Sequence, residues 1–211
     1  MSAKEDTPKY LKPYENAVET HGGSFEATLW CSKDGQIVRF KTFTDDIDFT
    51  GKSIVDVGCG IGDFASFLLE SKIKFSTLIG IDAMEAMIQS ATERELPNCS
   101  FRVGDVVVDE QLIIPADWLV FSGTLNAMTQ EEALTLIQRA FNLCTVGVAF
   151  NFLSNQSWRD PTSEDLSPAS RFDTLEVLGF AFTLTPLVSF TQSYLEGHDA
   201  TIILRKQEVS Q

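Results

Sequence analysis

The sequence is poor in positive charge. It has 16 Lys and Arg residues against 30 Asp and Glu residues, which gives a formal net charge of −14 over 211 residues. Proteins that bind nucleic acids neutralise phosphates with a basic surface, and no cluster of Lys or Arg is present to form one. The composition therefore predicts no nucleic-acid partner and no attraction to anionic membranes.

Cysteine and histidine are also scarce. None of the four cysteines forms a C-x-x-C pair, and neither of the two histidines stands at metal-ligand spacing from them, so no metal site is predicted. The opening residues, MSAKEDTPKY, are too polar for a signal peptide, and no apolar run is long enough to span a bilayer. We expect a reducing, cytoplasmic location. The sequence does not indicate which oligomeric state the protein has.

Apolar residues are abundant enough for a sizeable core, at 44% of the chain with 16 Phe. The length suits a single α/β domain, which we divide into an N-terminal helical cap over 1–50 and a core over 51–207. Helical spacing in the cap predicts helices over 10–20 and 35–44. In the second of these, Ile37, Phe40 and Phe43 are expected to point inward.

Strand and helix patterns alternate after the cap. Near-continuous apolar runs predict strands over 54–58, 77–82, 99–105, 117–122 and 146–153. Helices are expected over 63–71, 84–95 and 129–143, the last with a capping box of Thr129 and Glu132. Ser167 and Pro168 predict the start of a helix that reaches 178. Two final strands, over 182–191 and 201–206, leave no room for a helix between them and should pair as an antiparallel hairpin. The whole pattern predicts a mostly parallel sheet covered by helices on both faces.

A glycine-rich turn follows the first predicted strand, in the sequence IVDVGCGIGDF over 54–64. Glycines at 58, 60 and 62 allow the backbone to approach a ligand at the carboxyl end of the strand. A dinucleotide register of Gly60, Gly62 and Ala65 formally passes, but it leaves the acid of the buried strand, Asp56, without a purpose. A buried carboxylate needs a partner, and the cationic amino group of an amino-acid-like ligand would supply one.

A second acid, Asp82, ends the second predicted strand 22 residues after Gly60. A carboxylate at this place accepts hydrogen bonds from ribose hydroxyls. The alternative is that Asp82 caps the next helix, with Glu85 at its third position. The two roles are compatible.

The pattern D-x-G-x-G-x-G after an apolar strand resembles motif I of the class I S-adenosylmethionine-dependent methyltransferases. The resemblance extends from about residue 24 to 206 and includes the segments GSF…LW…GQ…RF, SGTLN and AFNFLS, which resemble a group of small bacterial methyltransferases. It implies S-adenosylmethionine as the cofactor. It also implies a Rossmann-like fold. The alternation of strands and helices, with right-handed crossovers, predicts a seven-stranded sheet in the order 3-2-1-4-5-7-6, with one antiparallel strand from the closing hairpin.

The resemblance further implies roles for individual residues. Arg39 would meet the cofactor carboxylate, with a solvated position on a helix edge as the alternative. Asp105 and the amide of Val106 would meet the adenine, with an exposed loop position as the alternative for Asp105. Ser122 would meet the methionine part. Ala83 and Met84 would lie against the adenine, although Met84 is as well explained as a core residue. For the substrate side the candidates are Asn126, Tyr14 and Trp30, each with plain packing or turn formation as the alternative. No catalytic acid or base is nominated.

The function expected is methyl transfer to a small-molecule acceptor by in-line displacement. The alternatives are a non-catalytic S-adenosylmethionine-binding protein and a dinucleotide-dependent oxidoreductase on the same fold. Members of that family that methylate amide or ring nitrogen often carry an N-P-P-Y motif after the fourth strand. This motif is absent here, which argues against methylation of DNA bases or glutamine. We also expect the segment 10–39, rich in aromatic residues, to close over the cofactor cleft together with the loop 155–165.

Overall fold

The computed structural model describes residues 7–158 and 168–207, and their central feature is a seven-stranded sheet. The strands are β1 (Ser53–Val57), β2 (Thr77–Asp82), β3 (Cys99–Val103), β4 (Trp118–Phe121), β5 (Gly147–Leu153), β6 (Val188–Thr191) and β7 (Asp199–Arg205). Their order is β3-β2-β1-β4-β5-β7-β6, as predicted. Strand β7 runs antiparallel to both of its neighbours, and the pairs β1–β2, β1–β4, β2–β3 and β4–β5 are parallel.

Six α-helices accompany the sheet within the described ranges: α1 (Lys12–His21), α2 (Lys33–Thr44), α3 (Asp63–Glu70), α4 (Glu85–Glu93), α5 (Gln130–Leu143) and α6 (Thr174–Leu184). The capping box predicted for α5 is confirmed. The Thr129 hydroxyl accepts from the amide of Glu132, and the Glu132 carboxylate accepts from the amide of Thr129. Of these helices, none is long and apolar enough to cross a membrane.

The two faces of the sheet carry separate cores. Strand β1 shows the alternation: Val55 and Val57 point to a core that includes residues of α5 and α6, and Ile54 points to a core with α2 and α3. Phe40 and Phe43 of α2 are buried in that second core as predicted. The inward prediction for Ile37 is wrong, since this side chain is 38% exposed.

The predicted boundary between the last helix and the last strands is wrong. Pro168 lies in a turn and Ser167 is outside the described residues, whereas α6 begins six residues later, where Asp173 accepts hydrogen bonds from the amides of Leu175 and Glu176. The helix then continues through Phe182 to Leu184, so only Val188–Thr191 of the predicted strand 182–191 is β structure. The apolar run has no clear periodicity, and Pro186 ends helical structure only after it. The closing antiparallel pair of β6 and β7 is confirmed.

Candidate functional site

A cavity opens at the carboxyl ends of β1, β2 and β4. Open α/β sheets bind ligands at this edge. The connections that follow two neighbouring parallel strands leave in opposite directions there and create a crevice. Most of the predicted site residues line it: Tyr14, Trp30, Asp56, Gly58, Gly60, Asp82, Ala83, Met84, Asp105, Val106 and Ser122.

The glycine-rich turn is held in place by both neighbouring strands. The amides of Gly58 and Cys59 donate to the carbonyl of Ile81 on β2, at 2.8 and 3.1 Å. On the other side, the hydroxyl of Thr124 donates to the carbonyl of Val57 and lies against Gly58, where a Cβ atom would come within 2.3 Å of that hydroxyl. Gly58 also has φ +73°, so only glycine fits this turn without strain.

Asp82 joins the end of β2 to this turn. One of its carboxylate oxygens accepts from the amide of Gly60 and the other from the amide of Met84, each at 2.9 Å. Burial raises the pKa of Asp82, although the backbone hydrogen bonds oppose the rise. The capping alternative does not hold, because the N-cap of α4 is Met84 and Glu85 is the first helical residue. The carboxylate therefore lines the cavity with lone pairs to spare for further donors.

Asp56 presents a buried carboxyl group to the cavity without a partner. It lies on β1 and is 2% exposed, and no described residue donates a hydrogen bond to its side chain. Burial raises its pKa to about 8, and the nearby carboxylates of Asp82 and Asp63 add to the effect. Such a group is stable as an anion only beside a cationic donor. The site thus fits the ammonium group of an amino-acid-like ligand.

Asp105 lies on the far side of the cavity, in contact with the N-terminal segment. One carboxylate oxygen accepts from the amide of Val107 at 2.9 Å, and the other accepts from the hydroxyl of Tyr10 at 2.5 Å. Tyr14 lines the cavity one helical turn further along, where burial and the charge of Asp82 raise its pKa to about 12. Burial and the contact with Asp105 raise the pKa of Tyr10 as well. Both phenols therefore remain protonated at neutral pH, and that of Tyr10 donates to Asp105.

Trp30 forms part of the cavity wall beside the end of β4. Its ring lies against Gly123, where an added Cβ would come within 2.3 Å of the indole. The guanidinium carbon of Arg39 stands 4.7 Å from the centre of the ring, within cation–π distance. The indole is thus held between the backbone of β4's end and a charged side chain of α2.

The structure does not support the role predicted for Arg39. Its Nε and Nη2 donate to the two carboxylate oxygens of Asp199, both at 2.6 Å, and its Nη1 donates to the carbonyl of Gly35. Both partners of the ion pair are nearly fully buried, so each neutralises a charge that would otherwise be costly. Arg39 consequently lies behind Trp30 and outside the cavity wall.

Two further predicted residues lie outside the cavity wall. Gly62 begins α3 and packs against the ring of Phe101, which a Cβ atom would approach to 3.0 Å, so it serves helix–sheet packing. The amide of Asn126 donates to the carbonyl of Ser170 and accepts from the amide of Leu153. Its side chain therefore ties two backbone segments together, and the structure does not bring it to the cavity wall, where it was expected to point.

The cavity also contains residues that the sequence reasoning did not nominate, among them Gln36, Asp63 and Thr28. The sequence pattern could have identified Gln36. It stands four and seven residues before Phe40 and Phe43, so helical spacing places it on the inward face of α2. A polar residue on an inward stripe is a candidate for a ligand-binding site.

The sheet order, the glycine-rich turn and the acids at the ends of β1 and β2 define the class I S-adenosylmethionine-dependent methyltransferases. Residues 48–155 match the family model described as a methyltransferase domain, so the chain belongs to that family. The chain is therefore an S-adenosylmethionine-dependent methyltransferase.

Solved structures of similar fold are methyltransferases at low sequence identity. The chain is similar to magnesium protoporphyrin IX methyltransferase from Synechocystis PCC 6803 with bound SAH, with a TM-score of 0.65, 13% identity, and coverage of 93% of this chain and 94% of that one. It is similar to DhpI in a SAM–HEP complex, with a TM-score of 0.69, 13% identity, and coverage of 94% and 99%. For phosphoethanolamine N-methyltransferase 1 of Haemonchus contortus the TM-score is 0.68 at 14% identity, covering 95% of this chain and 50% of that one.

A short match in sequence links the chain to a curated plant protein. It is 41% identical over 46 residues to the probable methyltransferase PMT19 of Arabidopsis thaliana. That segment is 22% of this chain and spans only 8% of the plant protein.

Proposed function

We propose that this enzyme transfers a methyl group from S-adenosylmethionine to a small-molecule acceptor held in the cavity at the carboxyl edge of the sheet. The observation that carries the proposal is the buried, unpartnered carboxyl group of Asp56 beside Asp82 in that cavity. When bound, the cofactor would supply a methyl group already activated on a sulfonium, and S-adenosylhomocysteine would be the leaving group of the in-line transfer. The protein's part is to bind the cofactor and the acceptor, to align them, and to exclude water from the site.

Each cavity residue then has a role that its position supports. Asp56 holds the ammonium group of the cofactor, and Asp82 accepts hydrogen bonds from its ribose hydroxyls while its own bonds to Gly60 and Met84 keep it oriented. Asp105 meets the adenine amino group, oriented by Val107 and Tyr10. The remaining contacts fall to backbone and apolar surface at Gly58, Ala83, Val106 and Ser122.

The roof of the cavity favours a small acceptor. Tyr10, Tyr14 and Trp30 come from the N-terminal segment and line the cavity together with the ends of the strands. An enclosed site confines an acceptor and raises its effective concentration, an effect worth up to about 7–11 kcal/mol in well-oriented systems. Magnesium protoporphyrin IX and phosphoethanolamine, named for two similar enzymes, are small molecules. The net charge of −14 opposes a nucleic-acid substrate.

Thermal denaturation with S-adenosylhomocysteine and, separately, with NAD tests the cofactor assignment. A ligand that binds only the folded state raises its stability by mass action, so S-adenosylhomocysteine at 100 times its Kd should stabilise the protein by about 2.7 kcal/mol. NAD should leave the melting temperature unchanged. Stabilisation by NAD without stabilisation by S-adenosylhomocysteine would overturn the proposal and favour an oxidoreductase.

Substitution Asp82→Ala tests the ribose contact. It removes at least one charge-assisted hydrogen bond, worth on the order of 1.5–3 kcal/mol, so the affinity for S-adenosylhomocysteine measured by calorimetry should fall by about ten-fold or more. Asp48→Ala is a matched control, because Asp48 is exposed and accepts from the amide two residues later, at Thr50, as Asp82 does from Met84. Equal affinities for both variants would leave Asp82 with a turn-forming role only.

A further inference from the structure

The side chain of Gln36 is a polar group inside the cavity that the assignments above leave unused. It projects from α2, is 6% exposed and lines the cavity. Its only described side-chain hydrogen bond runs from Nε2 to the Oδ2 atom of Asp63, at 3.2 Å. A buried side-chain amide has four hydrogen-bonding positions, so most of its capacity is still available.

The orientation of this amide follows from its partner. The carboxylate of Asp63 accepts hydrogen bonds and is fixed from the other side by Arg94, which donates to its second oxygen at 2.8 Å. The nitrogen of Gln36 must therefore face Asp63, because an amide oxygen there would meet a second acceptor. The Oε1 atom and the second N–H of Gln36 remain for a ligand.

Gln36 lines the same cavity as the unpartnered carboxyl group of Asp56. Asp63, the partner of Gln36, lies close enough to Asp56 to act on it electrostatically. The two residues together offer acceptors, the Asp56 carboxylate and the Gln36 oxygen, and one amide donor. An α-amino-acid group needs this combination, since its ammonium requires acceptors and its carboxylate requires a donor.

We propose that Gln36 joins Asp56 in binding the amino-acid end of the cofactor, and that its side-chain amide thereby contributes to distinguishing S-adenosyl compounds from nucleosides without that end. The inference rests on the proposed function and deepens it. It also accounts for the position of Arg39, because the cofactor carboxylate is met by an uncharged donor while the guanidinium stays paired with Asp199.

The test compares two ligands on one variant. Gln36→Met keeps the length and straight shape of the side chain but removes both polar functions. Its affinity for S-adenosylhomocysteine should fall by about ten-fold or more, whereas its affinity for 5′-methylthioadenosine, which lacks the amino-acid end, should change by less than about two-fold. Calorimetry on the full chain measures both. A purely structural role for Gln36 would lower the two affinities together.

Gln89→Met is the matched control. Gln89 is exposed on α4 and also donates its Nε2 to a carboxylate, that of Glu93, at 2.9 Å. This variant should bind both ligands as the unmodified protein does. Equal losses for both ligands in Gln36→Met, or no loss for S-adenosylhomocysteine, would overturn this inference alone. An unmodified protein that does not bind S-adenosylhomocysteine would overturn the proposed function and the inference with it.

Discussion

At the scale of single residues, the protein treats its buried charges in two opposite ways. Asp199 and Arg39 are both buried, and each satisfies the other through two short hydrogen bonds. Asp56 is equally buried and has no described partner, which makes it costly to keep charged in the free protein. The unpaired group lines the cavity and the paired groups do not, so the difference marks which buried charge is available to a ligand.

The first prediction concerns Asp56 and pH. Its pKa rises from the ordinary value of 3.8 to about 8 on folding, so between these pH values the folded protein retains a proton that the unfolded chain has released. The free energy of unfolding should therefore fall as pH rises through this window, by at most about 1.4 kcal/mol per pH unit for one proton. Asn cannot titrate, so Asp56→Asn should show a shallower fall and be the more stable protein at pH 8.

Urea unfolding at pH 6, 7 and 8 without ligand measures this difference. Asp82, whose pKa is also raised, is present in both proteins and cancels in the comparison. The variant should at the same time lose affinity for S-adenosylhomocysteine, because the ammonium partner is gone. A pH dependence identical to that of the unmodified protein would contradict the burial argument.

At the scale of secondary-structure elements, the N-terminal helix α2 is attached to the last strand of the sheet. The Arg39–Asp199 pair and a 3.1 Å hydrogen bond between the hydroxyls of Thr42 and Thr201 join α2 to β7. Arg39 also stacks on Trp30, which leans on Gly123 at the end of β4. The cavity wall therefore depends on elements from both ends of the chain.

The second prediction tests this wall with a pair of glycines. Gly123 has φ +72° and an added Cβ would overlap Trp30, so Gly123→Ala should destabilise the protein by about 1–3 kcal/mol and weaken binding of S-adenosylhomocysteine. Gly179 lies inside α6 with no atom within 4 Å of an added Cβ. Gly179→Ala should stabilise by about 0.5–1 kcal/mol, since alanine favours the helix, and leave binding unchanged.

Urea unfolding and calorimetry on both variants provide the measurements. If Gly123→Ala were as stable as the unmodified protein and bound the ligand equally well, Trp30 would be free to move and would not form a fixed wall.

At the scale of the whole molecule, the N-terminal segment covers the cavity and contacts a proposed cofactor residue. Tyr10, Leu11 and Tyr14 line the cavity, and the hydroxyl of Tyr10 reaches Asp105, 95 residues further along the chain. These contacts support our proposal that the segment 10–39 closes over the site. The second half of the expected lid, the loop 155–165, lies outside the described residues from 159 onward.

The third prediction is that deletion of residues 1–24 weakens binding of S-adenosylhomocysteine by about ten-fold or more. The core should stay folded, because α2 keeps its attachment to β7. Calorimetry measures the affinity, and circular dichroism confirms folding. If the truncated protein does not fold, the double variant Tyr10→Phe, Tyr14→Phe tests the same contacts in the full chain. A folded truncation with unchanged affinity would show that the segment is no lid.

The sequence by itself determined those features that depend on neighbours along the chain. Strand and helix periodicity located β1 to β5 and α3 to α5, and the box of Thr129 and Glu132 marked a helix start, because these patterns follow from local geometry. The glycine-rich turn and Asp82 likewise stand at fixed distances from strand ends. The strand order needed more than periodicity, because it also depends on the rule that crossovers between parallel strands are right-handed.

Only the tertiary structure decided the features that depend on residues far apart in sequence. The run through Phe182 is apolar enough for helix or strand, and its packing as α6 settled the choice. Arg39 was expected to contact the cofactor, but in the fold it pairs with Asp199, which is 160 residues away in sequence. Gln36 joined the cavity because α2 packs beside α3 and Asp63. A charge or amide takes whichever partner the fold places within hydrogen-bonding distance, and no local pattern in the sequence records that distance.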